Sequence, residues 1–160
     1  MRAAALTVSS SKAAGEGADE SGPLLADLAR ELGAGEVLME VVGDDREAIE
    51  AALLRLCDEQ RCDLVLTSGG TGLAPTDVTP EATRAVLERE APGLPEAMRL
   101  ASREHTPNWP LSRAVAGARG RALIVNFPGS PRSIEQTAAA LREPLRHALS
   151  LLAGRSPHQP

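Results

Sequence analysis

Between the apolar run Leu64-Val65-Leu66 and a helix-start signal at Thr79-Pro80-Glu81 lies Ser68-Gly69-Gly70-Thr71-Gly72, whose composition suits an anion. Its glycines let the backbone take positive φ and come close to a ligand. Consecutive amides, with the hydroxyls of Ser68 and Thr71, can surround a charged oxygen. Phosphate is the expected guest, and a plain tight turn between strand and helix is the competing reading. The run is neither a Walker A loop, lacking Gly-Lys-Ser/Thr, nor a GxGxxG fingerprint. Two carboxylates are candidates to act beside it. Asp77 precedes a helix whose cap Thr79 already supplies, so its loop position favours function. Asp44, with Glu47 three residues on, matches a capping box for the next helix, and a catalytic role stands beside that reading. Two carboxylates facing a phosphate repel it unless a cation intervenes. Mg²⁺ binds through one or two carboxylates plus substrate phosphates, so a metal–nucleotide complex resolves the conflict.

Lys12 is the only lysine and follows the first strand, where its point charge can meet a phosphate or simply stay solvated. Ser112-Arg113 and Arg132 are further phosphate-donor candidates, with ordinary surface arginines as the alternative. His105 has no visible partner and reads as structural or exposed.

The elements that must position these residues alternate. Ala3 to Val8 reads as a strand, Ser9 to Glu20 as a polar loop, and Ser21-Gly22-Pro23 as a helix start, with Leu24, Leu25, Leu28 and Leu32 on one face and Gly33 as the stop. Val37 to Val42 is a second strand, followed by a helix carrying Ile49, Ala52, Leu53, Leu56 and Cys57. Leu64 to Leu66 has the continuous apolar character of a central strand. Thr79-Pro80-Glu81 opens a helix running to about Glu90, and another spans Met98 to Glu104. Thr106 to Pro110 is a loop. Ala114 to Ala118 and Ala122 to Phe127 read as two strands about an Arg119-Gly120 turn, with Asn126 to Pro131 as the loop beyond. A last helical region, from Ile134 to Leu152, carries Pro144 as a kink or break. The predicted fold is therefore a three-layer α/β/α sandwich, its central sheet mostly parallel with room for an antiparallel strand or hairpin. In such sheets ligands bind beyond the carboxyl ends of the strands, which gathers four loops: Ser9 to Lys12, Gly43 to Asp45, Ser68 to Asp77, and Asn126 to Pro131.

Composition narrows the partners. The 160 residues suit one domain. A net charge of −5 without a basic run argues against nucleic acid, and Trp109 and Phe127, the only aromatics, leave little for base stacking. Cys57 and Cys62 match neither a redox pair nor a zinc site, and His105, His147 and His158 form no ligand cluster. With no signal-like start and no apolar run of spanning length, a cytoplasmic protein that avoids membranes is expected.

The segment Thr67-Ser68-Gly69-Gly70-Thr71-Gly72-Leu73-Ala74-Pro75-Thr76-Asp77-Val78-Thr79-Pro80-Glu81-Ala82-Thr83 resembles the signature of the MogA/MoaB family of molybdenum cofactor biosynthesis. Thr7-Val8-Ser9 with Gly15-Glu16, Asp19 and Ser21-Gly22 is similar to the family's first motif, Leu111-Ser112-Arg113 to a later one, and Asn126 to Pro131 to its NxPGxP loop. The resemblance implies one molybdopterin-binding domain over residues 1–153, leaving 154–160 as a tail expected to be disordered. For MogA-type members it implies Mg²⁺-dependent transfer of AMP from ATP to molybdopterin. By resemblance Asp44 and Asp77 are the catalytic carboxylates and the Mg²⁺ ligands. Ser9, Ser68, Gly69, Gly70, Thr71, Gly72, Ser112, Pro128, Gly129 and Ser130 are then the substrate-binding residues. A homotrimer and a downstream molybdate-inserting enzyme are implied as partners. Two positions depart from the family pattern: Ser10, where many relatives carry aspartate, and Thr76, where arginine is frequent. A MoaB-like protein that binds molybdopterin without adenylylating it is the alternative.

Overall fold

A computed structural model describes residues 1–155 of the chain. It opens with strand β1 (Arg2–Val8), one helical turn α1 (Ser10–Ala13), helix α2 (Ser21–Glu31) and strand β2 (Glu36–Val42). Helix α3 (Arg46–Leu54), continued by a wider turn over Arg55–Glu59, leads to β3 (Leu64–Ser68). Helix α4 (Thr79–Val86), the short strand β4 (Arg89–Glu90) and helix α5 (Gly93–Ser102) follow. Strands β5 (Ala116–Arg119) and β6 (Ala122–Phe127) then precede the long helix α6 (Pro131–Leu152). The sheet order is β2-β1-β3-β6-β5-β4. The first four strands are parallel, and β5 and β4 join antiparallel.

Period-two alternation divides the core between the two faces of this sheet. Along β1, Ala3 and Ala5 face a cluster built with Leu25, Met98, Ile134 and Leu141 from α2, α5 and α6. Ala4 and Leu6 face Ile49, Leu53, Ala82 and Val86 from α3 and α4. The result is the expected α/β/α sandwich, mostly parallel, with β5–β6 as its antiparallel hairpin. Among the described residues no helix is long and apolar enough to cross a membrane. Cys57 and Cys62 are free and buried, and burial pushes their thiols up to about 12 and about 11.

Several local expectations are corrected. The loop after β1 contains α1, capped by Ser9, whose hydroxyl accepts from the Lys12 amide at 3.4 Å. Helix α4 stops at Val86 because Leu87 is extended, and Arg89–Glu90 instead pairs with Gly117–Ala118 as an edge strand. Helix α5 begins at Gly93, since Pro95 falls in the first turn, where its missing N–H has no intrahelical partner to lose. Helix α6 runs unbroken through Pro144; that residue and Ala140, whose carbonyl the proline leaves free, are both exposed, so the carbonyl is not buried without a partner. Of the expected tail, Gly154 and Arg155 follow α6, with Gly154 at φ 74, and residues 156–160 lie outside the described residues.

Strand β6 has the bounds expected for it, so Asn126 belongs to the strand and not also to the loop beyond. The buried Asn126 amide accepts from the Val115 N–H at 3.1 Å and donates to the hydroxyls of Thr67 and Thr83 at 3.0 and 2.9 Å. It thereby joins β6 to the segment leading into β5, to β3 and to α4. Asn126→Ala leaves a buried N–H and two threonine hydroxyls without that partner, and a loss of about 3 kcal/mol in urea unfolding is expected.

Candidate active site

Strand β1 is flanked by β2 on one side and β3 on the other, so the chains leaving the carboxyl ends of β1 and β3 part in opposite directions. A crevice forms at such a switch point. Here it is a pocket of about 340 Å³ lined by Ser9, Lys12, Asp19, Ser68, Gly69 and Gly129. Gly69, at φ 96, lies against the Val8 carbonyl, where a Cβ would overlap it, and a Cβ on Gly129 would come 3.2 Å from the Gly69 Cα. The first, third and fourth of the predicted loops therefore meet in one place. Asp19, which caps the start of α2 through the amides of Ser21 and Gly22, also accepts from Thr7 at 2.8 Å. Ser21 donates its hydroxyl to the Gly129 carbonyl at 2.9 Å and so fixes the last loop.

The Ser68 hydroxyl is buried on the pocket floor and has no hydrogen-bond partner among the described residues. A buried hydroxyl left unpaired costs free energy, and a ligand oxygen would satisfy it. Lys12, at the mouth, makes no ion pair among the described residues. Its ammonium is folded over Gly17, 3.0 Å from where a Cβ there would stand.

Beyond Gly69 the glycine run leaves the pocket lining, and its carbonyls are all engaged. The Gly69 carbonyl accepts from the Thr79 hydroxyl at 2.9 Å and the Gly70 carbonyl from the Thr79 amide at 3.1 Å. The Thr71 carbonyl accepts from the Arg113 amide at 2.8 Å and the Gly72 carbonyl from Arg113 Nε at 2.7 Å. All four carbonyls are thus tied to the scaffold, whereas the amides of Gly70, Thr71 and Gly72 donate to no acceptor among the described residues. Successive free amides of this kind make an anion-binding concavity. Thr79 is a correction: it tethers the loop instead of capping α4, whose N-cap position is Val78. Arg113 is another, since it bonds to protein groups rather than offering itself to a phosphate. Sequence periodicity could find neither tether, because each joins side chain to backbone across a fold contact.

The carboxylates are placed differently from each other. Asp77 Oδ2 accepts from the Ala74 amide at 2.9 Å and lies where a Cβ on Gly72 would be 2.7 Å away, which puts the group at the rim of the glycine run. Asp44 follows β2, across β1 from that loop. Its Oδ2 accepts from the Ser10 amide at 2.7 Å while its own amide donates to the Ser10 hydroxyl at 2.9 Å. The helix cap expected of Asp44 belongs to Asp45, which accepts from the Ala48 amide at 2.8 Å. Neither Asp44 nor Asp77 lines the pocket. Among the described residues no group of three or more acidic, histidine or cysteine side chains is arranged to hold a metal. Each carboxylate does retain one oxygen without a hydrogen-bond partner among the described residues. That donor set fits a Mg²⁺ taken through a single carboxylate with phosphates completing its shell.

Ser112 and Pro128 border a smaller pocket of about 160 Å³ with Met98 and Trp109. The Ser130 hydroxyl is engaged as the cap of α6, 3.1 Å from the Ser133 amide. Arg132 and His105 are exposed. A larger hollow of about 700 Å³ lies at the opposite, amino-terminal edge of the sheet, between Cys62 and Arg119, away from every candidate residue.

Arg113 also pairs with Glu81, and this hydrogen bond holds the Glu81 carboxyl below the usual range. A depressed folded-state value adds stability that is complete above the ordinary glutamate range and is lost as pH falls through the folded value. Acid titration of wild type and Glu81→Gln is expected to show the two stability curves converging as pH falls below the ordinary glutamate range. Parallel curves throughout would refute the pairing.

Residues 4–147 match the family described as a probable molybdopterin binding domain. The molybdopterin adenylyltransferase of Helicobacter pylori is 44% identical over 119 residues, covering 74% of this chain and 68% of that protein. That of Escherichia coli K12 is 46% identical over 108 residues, covering 68% of this chain and 55% of that protein. Among solved structures, a MogA superposes with TM-score 0.90 at 39% identity, covering 95% of this chain and 99% of the other. The molybdopterin biosynthesis enzyme MoaB of Thermus thermophilus gives TM-score 0.83 at 45% identity, covering 99% of each. With nine-tenths of its length matched, the chain belongs to the molybdopterin-binding domain family of molybdenum cofactor biosynthesis.

Proposed function

We propose that the protein is a molybdopterin adenylyltransferase, taking molybdopterin and ATP and releasing adenylylated molybdopterin and pyrophosphate. The observation that carries the reading is the row of free amides from Gly70 to Gly72 in the loop that follows the unpartnered Ser68 hydroxyl, in a chain 44% identical to the Helicobacter enzyme. An oxygen of molybdopterin's terminal phosphate attacks the α-phosphorus of ATP, the bond from that phosphorus to the β-bridging oxygen breaks, and pyrophosphate leaves. A phosphate monoester is largely ionised at neutral pH, so the nucleophile needs no general base. An exposed His105 is compatible with that. What the reaction does need is alignment and charge stabilisation.

The glycine-loop amides hold the nucleophilic phosphate, and the Ser68 hydroxyl donates to it from below. Ser9, Gly129 and Lys12 line the approach, with Lys12 bringing the chain's one lysine ammonium to a site that must gather several negative charges. Ser112 and Pro128, with Trp109, border the apolar slot beside it, and Ser130 shapes the edge as a cap. Asp77, with Asp44, would hold Mg²⁺, which supplies neutralisation of charge on the transferred and leaving phosphates when bound. We assign the same protein a cytoplasmic location, a homotrimeric assembly and a molybdate-inserting enzyme as recipient of its product. Met39 and Val41, exposed on edge strand β2, are apolar surface available for self-association, which sedimentation would test.

Incubation with molybdopterin and Mg-ATP is expected to give a mass increase of one AMP on the pterin and an equivalent of pyrophosphate. The chain is as similar to a MoaB as to the adenylyltransferases. A protein that binds molybdopterin but shows no adduct and no Mg-ATP-induced rise in melting temperature would have to be read as a binding protein.

A further inference from the structure

We infer that Arg113 is a positioning residue for the adenylyl transfer, setting which way the glycine run presents its amides and where Asp77 sits, without touching substrate itself. The inference rests on the function proposed above.

Its geometry is that of a clamp. From the loop that enters β5, the Arg113 amide bonds the Thr71 carbonyl at 2.8 Å, Nε the Gly72 carbonyl and Nη2 the Asp77 carbonyl, both at 2.7 Å. Nη1 bonds the Glu81 carboxylate on the first turn of α4. One side chain therefore reaches both ends of the segment from Gly72 to Asp77 and anchors them to the following helix. Leu73, Ala74, Pro75 and Thr76, between those ends, are all exposed, and packing does not hold them. Within this segment the further constraint is the pair of bonds between Ala74 and Asp77, both 2.9 Å.

A peptide amide and its neighbouring carbonyl point in opposite directions because the unit is planar. Tying the Thr71 and Gly72 carbonyls to Arg113 thus turns the Gly72 amide and the one after it away from Arg113. Thr79 does the same for Gly69 and Gly70. The loop's positive face is therefore fixed before any ligand arrives, which is the condition under which hydrogen-bond donors accelerate a reaction most. Arg113 suits this task because its planar fork can serve several acceptors at once, whereas a lysine ammonium has no fixed fork. The guanidinium is already spent on these partners, so it is not offered as a phosphate ligand.

Arg113→Lys keeps the charge and loses the fork. Its kcat is expected to fall about 100-fold, as when a preorganised donor is removed, with the KM for ATP within about threefold of wild type. Hydrogen exchange at the Ala74 and Asp77 amides is expected to quicken about tenfold or more, with the β1 and β3 amides unchanged. Wild-type kcat in Arg113→Lys would overturn the inference, as would a lost kcat with unchanged exchange, which would make Arg113 a direct ligand. Should Arg113→Lys fail to fold, Glu81→Gln reads the same clamp. A smaller fall, about threefold to tenfold, with faster loop exchange is expected, and wild-type values in both would overturn it. If the wild type forms no AMP adduct, the functional reading fails separately. Positioning is then decided by the exchange rates and by calorimetric molybdopterin affinity, which must weaken about tenfold or more in Arg113→Lys.

Discussion

Asp77→Asn is expected to lower turnover by about two to three orders of magnitude while changing molybdopterin affinity little. Asparagine preserves shape, and its side-chain oxygen can still accept from the Ala74 amide, now at 2.9 Å from Oδ2. The loop then keeps its form and loses one negative charge at its rim. Removing that charge from a bound anion cannot weaken ground-state binding by repulsion. A large fall in kcat would therefore report a requirement of the transition state, met through the cation that the carboxylate would hold. The measurement is pyrophosphate release at saturating molybdopterin, with half-saturating Mg²⁺ read alongside. Equal turnover of mutant and wild type would remove Asp77 from the mechanism.

Gly69→Ala is expected to weaken molybdopterin binding severely. At φ 96 an alanine is strained wherever it stands, and here its Cβ would also overlap the Val8 carbonyl, a backbone group of the central strand β1 that has no means of moving aside. Relief requires displacing the glycine run, which breaks the bond from Thr79 to the Gly69 carbonyl and the contact with Gly129. A stability loss of about 3 kcal/mol or more is anticipated in urea, together with at least about 100-fold weaker molybdopterin binding. Gly33, whose Cβ would meet nothing within 4 Å, gives the comparison for backbone strain alone. If Gly69→Ala were no more damaging than Gly33→Ala, close approach at the switch point would be disproved.

The sandwich was legible because its signals are local. Leu64 to Leu66 is apolar without a break, α2 repeats leucine at helical spacing, and Gly33 and Gly120 stand where positive φ ends or turns an element. The placing of Ser68, Gly69 and Gly129 together followed from the rule about carboxyl ends of strands. What escaped was whatever depends on a side chain meeting backbone from elsewhere. Thr79-Pro80 has the sequence of a helix cap, yet its hydroxyl turns back to Gly69. Ser112-Arg113 has the chemistry of a phosphate donor, yet its guanidinium reaches Gly72, 41 positions earlier. Asp44 and Asp45 are adjacent and alike, and only the approach of Ser10 from another loop decides which of them caps α3. Asn126 lies in the strand expected for it, yet its side-chain partners at Val115, Thr67 and Thr83 come from three other segments and leave no local signal. Periodicity describes faces, and these contacts join edges.

The pairing of β3 with β6 sets Leu64 beside Leu123, after β4 and β5 have intervened in sequence. Contacts so far apart along a chain form slowly, because the entropy of closing the intervening loop is lost before the contact repays it. A nascent chain that has emerged only as far as Glu90 already carries Ser68 to Gly72 and Asp77, but neither Arg113 nor Gly129. During synthesis, then, the glycine run exists for some time with Thr79 as its one tether, and its contacts with Arg113 and Gly129 arrive only when β6 docks. Molybdopterin cannot act as a template for the amino-terminal half; it can only stabilise a molecule whose last parallel strand is already in place.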